Sequence, residues 1–472
     1  MAVTYKPKIE YLIDWIDDGE FDTDEADIFD FVDSFTANYG SGVFNNNDNF
    51  APLLLGGQIR LAKPIEGISE LVFRKSHLFR LVIGGKTIIE CVADPASNER
   101  IVLHSKNRNT FNNQIEIGYN SSVKDSQVWH DALTQAGLLY GSATFNDYAL
   151  SGFIVIRTRL SAFLTQFAEF AGGYVFEQSD GKFSFIAARA NTASSILNLD
   201  PAAIPLFTRD IQGKDGAVRN VLDTEVIVPV TNTEVIKTEE VIVPSGEVVE
   251  RFIPAPSGSV VENWTIATDS LNPSVVAGFI ETATLRATYA VVNISGVQAT
   301  VNVTISGDVT KSGRTFPFRT VRPLSESLYG VKTFKSYPNW GATNDIIWAE
   351  LNRRDRAIRV AKVEFPMVQG MESLLDMDTG DIVTLYKDEL RLNMLIGRKY
   401  VTIRDYIRVE WHLIELPTSY ADENWLLDDD EYSLGLNTFL TDPDYMINNY
   451  LVLAGQPLTL SGEFLEFEEV TI

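Results

Sequence analysis

Short runs of alternating apolar and polar residues fill most of this sequence, and Gly, Asn, Asp and Pro separate them. A period of two predicts β-strands with one packed side and one solvent-facing side. The clearest run spans residues 407–413, and residues 301–305 repeat the pattern in a strand expected to end at Gly307. The pattern therefore predicts a mainly β chain of the α+β class.

Three segments show the i, i+3, i+4 spacing of an amphipathic helix instead. Residues 126–139 place Trp129 and Leu133 on one stripe, and residues 160–171 carry a phenylalanine-rich stripe that Gly172 and Gly173 should end. The third segment is 344–356, ahead of Pro366. We interpret the aromatic stripe as core packing, because no polar residues converge on it to hold a cofactor.

Composition divides the later part of the chain. Residues 221 to about 310 are rich in Val, Thr, Ser and Pro, which is typical of a separate β-sandwich or barrel. After Tyr420, aromatic and acidic residues mix with turn residues. This mixture indicates an arm that packs on a neighbour and builds no core of its own.

Charge restricts the ligands that this protein can hold. The 472 residues carry a net charge of −25, and no Lys or Arg follows Arg408. Tight binding of duplex DNA is disfavoured, because phosphate affinity needs a basic face. The acidic residues form one of two kinds of surface. They either keep the protein soluble, or they contact a basic partner or line a channel that must not bind DNA.

Cysteine content and hydropathy restrict the protein class further. Cys91 is the single cysteine, so an intrachain disulfide framework and a cysteine-based zinc site are excluded, and its strand-like surroundings predict a buried structural thiol. No apolar run approaches the ~20 residues that span a bilayer. The first ten residues lack the apolar core of a signal peptide, so we expect synthesis in a cytoplasm.

Catalytic motifs are weak. Asp378-Thr379-Gly380 repeats the triplet of aspartic proteases, but it occurs once, and we interpret it as a tight turn before the strand 382–385. The four histidines lie far apart, and neither a Gly-x-Ser-x-Gly turn nor a phosphate loop is present. We predict no catalytic residue and no cofactor. The 64 acidic residues leave glycan hydrolysis open.

The start of the chain carries part of a calcium-loop pattern. Asp14, Asp18, Asp22 and Glu25 match positions 1, 5, 9 and 12 of a calcium loop, but Ile16 at position 3 offers no side-chain oxygen. The residues before the loop also resemble a strand, where that motif expects a helix. We favour a solvated acidic hairpin and keep calcium as the alternative.

Several blocks between residues 9 and 417 resemble, in order and spacing, the tail hub or tail-tip family of tailed bacteriophages. The opening strand with its Asp-Gly turn comes first, and the block Tyr174-Val175-Phe176 with Asp180-Gly181-Lys182 resembles a hairpin of the family. The blocks that carry the resemblance are 14–20, 50–61, 174–185, 219–221, 325–330 (a Ser-x-x-x-Tyr-Gly turn) and 375–383.

The resemblance implies two related β-barrel-like hub domains with small helical insertions and an inserted β-sandwich-like module. The expected segments are an N-terminal β-barrel-like hub domain (1–105), an α/β hub insertion (106–220), a β-rich inserted module (221–320), a second β-barrel-like hub domain (321–417) and an acidic C-terminal arm (418–472).

The function implied by the resemblance is structural and not enzymatic. The protein would be a baseplate hub of the virion tail tip, assembled in the host cytoplasm, that connects the tail tube to the receptor-binding or fibre apparatus and forms part of the DNA exit channel. The implied state is a homotrimer. Implied partners are a distal tail or tail tube protein, a tape-measure protein, tail fibre or receptor-binding proteins, and DNA in transit. The alternatives are a host-surface carbohydrate-binding tail module and a cell-wall glycan hydrolase.

Overall fold

The structure is a computed structural model. It describes residues 6–15, 21, 27–41, 52–65, 76–97, 99–119, 123–138, 140–146, 149–150, 154–187, 197–199, 208–214, 218–270, 279–295, 299–334, 358–387 and 390–416, and four strand segments between 452 and 464. The chain divides into two units, Met1–Pro417 and Thr418–Ile472.

Strands dominate the described part of the first unit, which confirms the mainly β fold class. In chain order they are β1 Ile9–Ile13, β2 Val32–Ser41, β3 Pro52–Leu61, β4 His77–Ile83, β5 Lys86–Ser97, β6 Arg100–His104, β7 Gln114–Tyr119, β8 Val123–Lys124, β9 Tyr140–Thr144, β10 Ala149–Leu150, β11 Ile154–Arg159, β12 Gly173–Glu177, β13 Phe183–Ala187, β14 Leu197–Leu199, β15 Thr208–Lys214, β16 Val221–Val243, β17 Val248–Pro254, β18 Ser259–Ser270, β19 Phe279–Leu285, β20 Tyr289–Ser295, β21 Ala299–Val321, β22 Thr333–Phe334, β23 Ile358–Pro366, β24 Ile382–Lys387, β25 Leu390–Ile403 and β26 Ile407–Glu415.

The helices are α1 Asp125–Ala136, α2 Leu160–Phe170, α3 Pro323–Tyr329 and α4 Ser373–Asp376, with short 3-10 turns at Phe29–Phe31 and Thr110–Asn112. The predicted helices at 126–139 and 160–171 are confirmed as α1 and α2. Gly137 (φ 75°) ends α1 and Gly172 (φ 68°) follows α2, because glycine adopts the left-handed conformation at low cost. The third predicted helix, 344–356, lies outside the described residues.

A twelve-stranded sheet, the main sheet, joins the two ends of the first unit. Its order is β1-β4-β5-β6-β3-β2-β25-β26-β23-β15, β24 also pairs with β25, and β14 pairs with β24. β2 pairs with β3 on one side and with β25 on the other, so strands from 9–104 and from 358–415 share one ladder. In the pairings of the described residues the ladder runs from β1 to β15 without closing.

The packed face of the main sheet follows the alternation read from the sequence. In β26 the apolar residues, including Val409 and Trp411, are buried, while the polar residues between them are half-buried. Phe35 and Tyr39 of β2 belong to the same core, together with Cys91. Cys91 is a fully buried free thiol, as the sequence predicted.

The segment from β7 to β13, called the α/β module below, packs around a second core that also includes main-sheet residues such as Ile382 and Leu395. β12 pairs with β13, and β9 joins β13 in parallel. Trp129 of α1 lies 5.3 Å from Phe167 of α2 and 5.7 Å from Phe185 of β13, measured between ring centroids. The aromatic stripe is therefore core, as expected.

The segment from β16 to β21, called the sandwich module below, consists of two facing sheets. One has the order β18-β21-β16-β22 and the other β17-β20-β19. Between them lies a separate aliphatic core, which includes Val241, Ile253, Val292, Val303 and Ile305. This agrees with the β-sandwich predicted from composition.

Two local predictions were wrong. The strand that begins near residue 301 does not end at Gly307 but continues as β21 to Val321. Gly307 marks a close approach instead, since a Cβ there would lie 2.6 Å from Val261 Cγ1, opposite a bulge in β18. The block 325–330, expected to be a turn, lies mostly in α3, which has a proline in its first turn and ends before Gly330 (φ 71°).

In the second unit, the structure describes only two short strand pairs. β27 Val452–Leu453 pairs with β28 Gln456–Pro457, and β29 Thr459–Leu460 pairs with β30 Glu463–Phe464. Tyr420, after which the mixture of aromatic and acidic residues begins, lies outside the described residues.

Candidate functional site

Buried and half-buried polar side chains concentrate where the α/β module meets the main sheet. We call this cluster the polar junction. Its members come from β2, the loop after β6, the β12–β13 hairpin, the turn before β24, and β25, and they are Tyr39, Ser105, Asn107, Glu177, Ser179, Asp378, Asp381 and Lys399.

Glu177, the last residue of β12, connects the module to the sheet. Its side chain is fully buried, and it accepts hydrogen bonds from the Leu55 amide of β3, from the Ser105 hydroxyl and, at 3.5 Å, from Asn107 Nδ2. Burial raises the pKa of the Glu177 carboxyl to about 7, although these hydrogen bonds oppose the rise. Thr379 Oγ1 also donates to the Glu177 carbonyl at 3.0 Å.

The triplet Asp378-Thr379-Gly380 forms a tight turn, as predicted. The Asp381 amide donates to the Asp378 carbonyl at 3.1 Å, Gly380 has φ 97°, and β24 follows directly. The Asp378 carboxylate accepts from the Ser179 hydroxyl at 2.6 Å and from the Ser179 amide at 3.0 Å. The Asp381 carboxylate accepts from the Asp378 amide at 2.7 Å. Asp378 thus joins the turn to the hairpin, and Asp381 closes the turn itself.

Lys399 of β25 provides a cation beside these carboxylates. It is 1% exposed, and its Nζ donates to the carbonyls of Leu375 at 2.8 Å and Met377 at 2.6 Å. Burial lowers the pKa of the Lys399 ammonium, while the nearby carboxylates of Asp378 and Asp381 act in the opposite direction. Burial also raises the pKa of Asp381, and it raises the pKa of the Tyr39 phenol, which lies beside Asp378.

A second buried polar contact connects two blocks of the sequence resemblance. Asn220, just before β16, is fully buried, and its Nδ2 donates to the Gly330 carbonyl at 2.9 Å and to Ser325 Oγ at 3.3 Å. Its Oδ1 accepts from the Lys332 amide at 2.8 Å. The blocks 219–221 and 325–330 therefore meet at the base of the sandwich module.

The opposite face of the main sheet carries a charged ladder. Glu410 of β26 accepts from Lys362 Nζ at 2.9 Å, and its Oε1 lies 2.8 Å from His412 Nε2. Arg408 contacts Glu410 at 3.2 Å and Glu364 at 2.7 Å. Burial alone would raise the pKa of Glu410, but the hydrogen bonds from His412 and Lys362 outweigh it and lower the pKa to about 2.

The four histidines lie in separate places. His77 is buried, its Nδ1 lies 3.1 Å from the Asp14 carbonyl, and its ring lies 5.1 Å from the Trp15 ring. His104 lies 3.4 Å from Asp94, and the rings of His130 and Tyr140 are 4.6 Å apart. Within the described ranges, no group of three His, Cys, Asp or Glu side chains could hold a metal ion.

The calcium candidates are only partly described. Asp14 directly follows β1, which is a strand as expected, and its amide donates to the Leu78 carbonyl at 3.0 Å. Asp18, Asp22 and Glu25 lie outside the described residues, so calcium binding stays a prediction. Asp27, beyond this loop, forms a bridge with Leu12 of β1.

Sequence reasoning missed Glu177, Lys399 and Asn220. A signal for Lys399 was present, because it shares the inward parity of β25 with Val401 and Ile403. Glu177 ends a strand in which every residue is buried, so a polar residue there should have been expected to have a partner. Asn220 had no such signal beyond its place in the block 219–221.

The outer surface of the sandwich module exposes apolar residues. Phe252 of β17 is 56% exposed, and its ring lies 5.2 Å from that of Tyr289 on β20. Val235 and Ile242 of β16 are 64% and 69% exposed. In the described part of the chain, no helix is long and apolar enough to cross a membrane.

Of the comparisons with known proteins, the one with solved structures found chains of similar fold. No family model and no curated protein matches the chain. The 43 kDa tail protein of prophage MuSo2 from Shewanella oneidensis is 8% identical, with coverage of 86% of this chain and 98% of that chain and a TM-score of 0.42. The tail protein from Neisseria meningitidis MC58 is 10% identical, with coverage of 87% and 97% and a TM-score of 0.45.

A third similar structure is a component of the type VI secretion system from E. coli. It is 8% identical, with coverage of 87% of this chain and 75% of that chain and a TM-score of 0.35. Tail proteins are the class that the sequence resembles.

Proposed function

We propose that this protein is a structural component of a phage tail tip, a baseplate hub that joins the tail tube to the receptor-binding or fibre apparatus. The observation that carries the proposal is the shared ladder of β2 and β25, which joins early and late strands into one sheet and leaves the α/β and sandwich modules as insertions. This is the arrangement that the ordered sequence blocks imply for a hub.

The hydrogen bonds that engage the carboxylates of Glu177 and Asp378 support a structural role without catalysis. Glu177 has a raised pKa of the kind that general acids in glycosidases show. Its side chain, however, has no exposed surface, and three donors from the framework engage it. Asp378 is likewise engaged by Ser179. The glycan hydrolase alternative therefore finds no support at these carboxylates.

We further propose the assembly that the resemblance implies. The protein forms a homotrimer through repeated interfaces, with the five segments 1–105, 106–220, 221–320, 321–417 and 418–472 as its parts and β-barrel-like hub domains in the first and fourth. It contacts a distal tail or tail tube protein, the tape-measure protein and fibre proteins. The net charge of −25 suits a channel along which DNA slides without sticking.

Two measurements on one sample test this proposal. Purified phage particles that carry this protein are labelled with antibody and imaged by electron microscopy, and the isolated protein is weighed by native mass spectrometry. Label at the distal tail end and a trimer mass are expected. Label on the capsid, or a monomer that turns over cell-wall substrate, would contradict the proposal.

The second candidate function, carbohydrate binding at the host surface, is favoured by one observation. The exposed ring of Phe252 and the neighbouring ring of Tyr289 form an aromatic surface, beside which Asn293 donates to Thr282 at 2.7 Å. A glycan array probed with the intact protein and with a Phe252→Ala variant distinguishes the two functions. Glycan binding that the substitution abolishes would favour the carbohydrate-binding role.

A further inference from the structure

The sandwich module is attached to the rest of the first unit by a narrow ribbon. Residues 221–228 of β16 pair with residues 314–321 of β21. In the described pairings a third strand, β22, touches this ribbon only at Val221 and Leu222. A ribbon of two strands is weak support for the module beyond it, because two strands twist and bend more readily than a wider sheet.

The ribbon has a fixed base and an irregular upper end. At its base, Asn220 is clamped by the Gly330 carbonyl and the Lys332 amide. At its upper end, Val228 pairs with Arg314 but Pro229 pairs with Ser312, so Gly313 is an extra residue in a bulge. β18 joins the ladder just above, at Lys311. A bulge with Pro on one strand and Gly on the other is a natural point of bending.

The module has its own core, so it can move as one body. Val241, Ile253, Val292, Val303 and Ile305 pack with each other between the two sheets of the module. Val260 is buried but lies outside this core, and Ala287 is the hydrophobic side chain packed against it. A group of residues with a separate core can change its orientation without loss of its internal packing.

A small contact holds the module against the α/β module. A Cβ at Gly118 of β7 would lie closer than 3.0 Å to Val260 Cγ1 and Thr288 Cγ2. The backbone of Gly118 is not in the left-handed region, so its conformation would allow a side chain. Only the lack of room beside Val260 and Thr288 excludes one. Beside it, Arg157 Nη2 lies 3.4 Å from the Ala255 carbonyl and 2.7 Å from Glu116. We call the contact between Val260 and Gly118 the latch.

We propose that the sandwich module is a hinged arm, which pivots at the bulge of Pro229 and Gly313 and is held in the observed position by the latch. The hinge does not depend on the proposed tail function, because its elements lie within one chain. A module that pivots can present its exposed residues, Phe252 among them, in more than one direction.

The test measures a distance within the full chain. Spin labels are attached at Thr134→Cys on α1 and Ser245→Cys in the turn after β16, both exposed positions, while native Cys91 is buried. Gly118→Leu inserts a side chain into the latch, and Val260→Asp places a charge there. The distance between the two labels is measured by double electron–electron resonance. In each of the two variants, we expect its narrow distribution to become broad and to shift by several ångströms.

Controls separate release of the module from unfolding. Ile242→Asp changes an exposed aliphatic residue of the same module and should leave the distribution narrow. Far-UV circular dichroism reports that the mainly β chain is still folded. Unchanged distances in Val260→Asp with a native circular dichroism spectrum would overturn the hinge, even if Gly118→Leu fails to fold.

Discussion

Replacement of Glu177 by Gln should make the protein more stable at alkaline pH and leave it unchanged in acid. The carboxyl has a pKa of about 7 in the folded chain, against an ordinary value of 4.5. A raised pKa means that folding favours the protonated form. The contribution of this group is therefore fully present below pH 4.5 and is lost as the pH rises to 7.

The size of the effect follows from the shift. Going from 4.5 to about 7 corresponds to about 3 kcal/mol of folding free energy, at about 1.4 kcal/mol per pKa unit. Glutamine has nearly the same shape, and its Oε1 can accept from the Leu55 amide while its Nε2 donates to Ser105 Oγ. The variant should therefore avoid the cost of a buried anion and keep the hydrogen bonds to the main sheet.

The assay is a comparison of thermal unfolding midpoints for the native protein and Glu177→Gln between about pH 4 and about pH 8. The first unit contains several cores, so unfolding need not be two-state, and the difference between the two proteins is the quantity to use. The midpoints should coincide near pH 4, below the ordinary pKa of the carboxyl, and the variant should unfold a few degrees higher near pH 8. Parallel profiles over the whole range would refute a buried carboxylate at Glu177.

Four further outcomes are expected. Glu410→Gln should show the opposite pH dependence. The pKa of Glu410 is lowered to about 2, so its carboxylate stabilises the native protein above pH 4.5, and this stability is lost as the pH falls toward 2. The unfolding midpoints of the two proteins, measured at decreasing pH, should therefore differ above pH 4.5 and converge in acid. Lys399→Met should cost about 1–3 kcal/mol in urea unfolding, since the Leu375 and Met377 carbonyls lose their donor and the half-buried carboxylates of Asp378 and Asp381 lose a nearby cation, and adding Asp381→Asn should recover part of the loss. Gly57→Ala should cost about 1–3 kcal/mol, because its Cβ would press on Thr36, while Gly56→Ala, with only a carbonyl oxygen 4.0 Å away, should be close to neutral in the same assay. Chelator should leave the unfolding midpoint unchanged if the acidic hairpin is solvated, and a drop that calcium reverses would favour the metal site.

The local elements could be predicted from the sequence because their causes are local. The stripes of α1 and α2 and the glycines after them determined both helices to within three residues at each end. The alternation of β26 was equally direct. Gly307 was predicted wrongly as a strand end, because a glycine within a strand can mark either an end or a close approach. The difference depends on Val261, which lies far away in the sequence.

The polar junction could not be predicted in the same way, because its members come from distant parts of the chain. Asp378 and Ser179 are hydrogen-bonded across 199 positions. A motif search finds a catalytic triplet at Asp378 because it considers neighbours in sequence alone. The partner that determines what Asp378 does is visible only when β12, β13 and β24 are placed around the main sheet.

The two attachments of the modules should differ in rigidity. Hydrogen bonds are directional, so the donors on Glu177 and Asp378 fix the orientation of the α/β module as well as its contact with the main sheet. The sandwich module is held by the apolar contact between Val260 and Gly118, which has no preferred direction, and by a single long hydrogen bond of 3.4 Å from Arg157 to the Ala255 carbonyl. The α/β module and the main sheet should therefore move as one body. Movement within the first unit should concentrate at the bulge of Gly313, where the sandwich module begins.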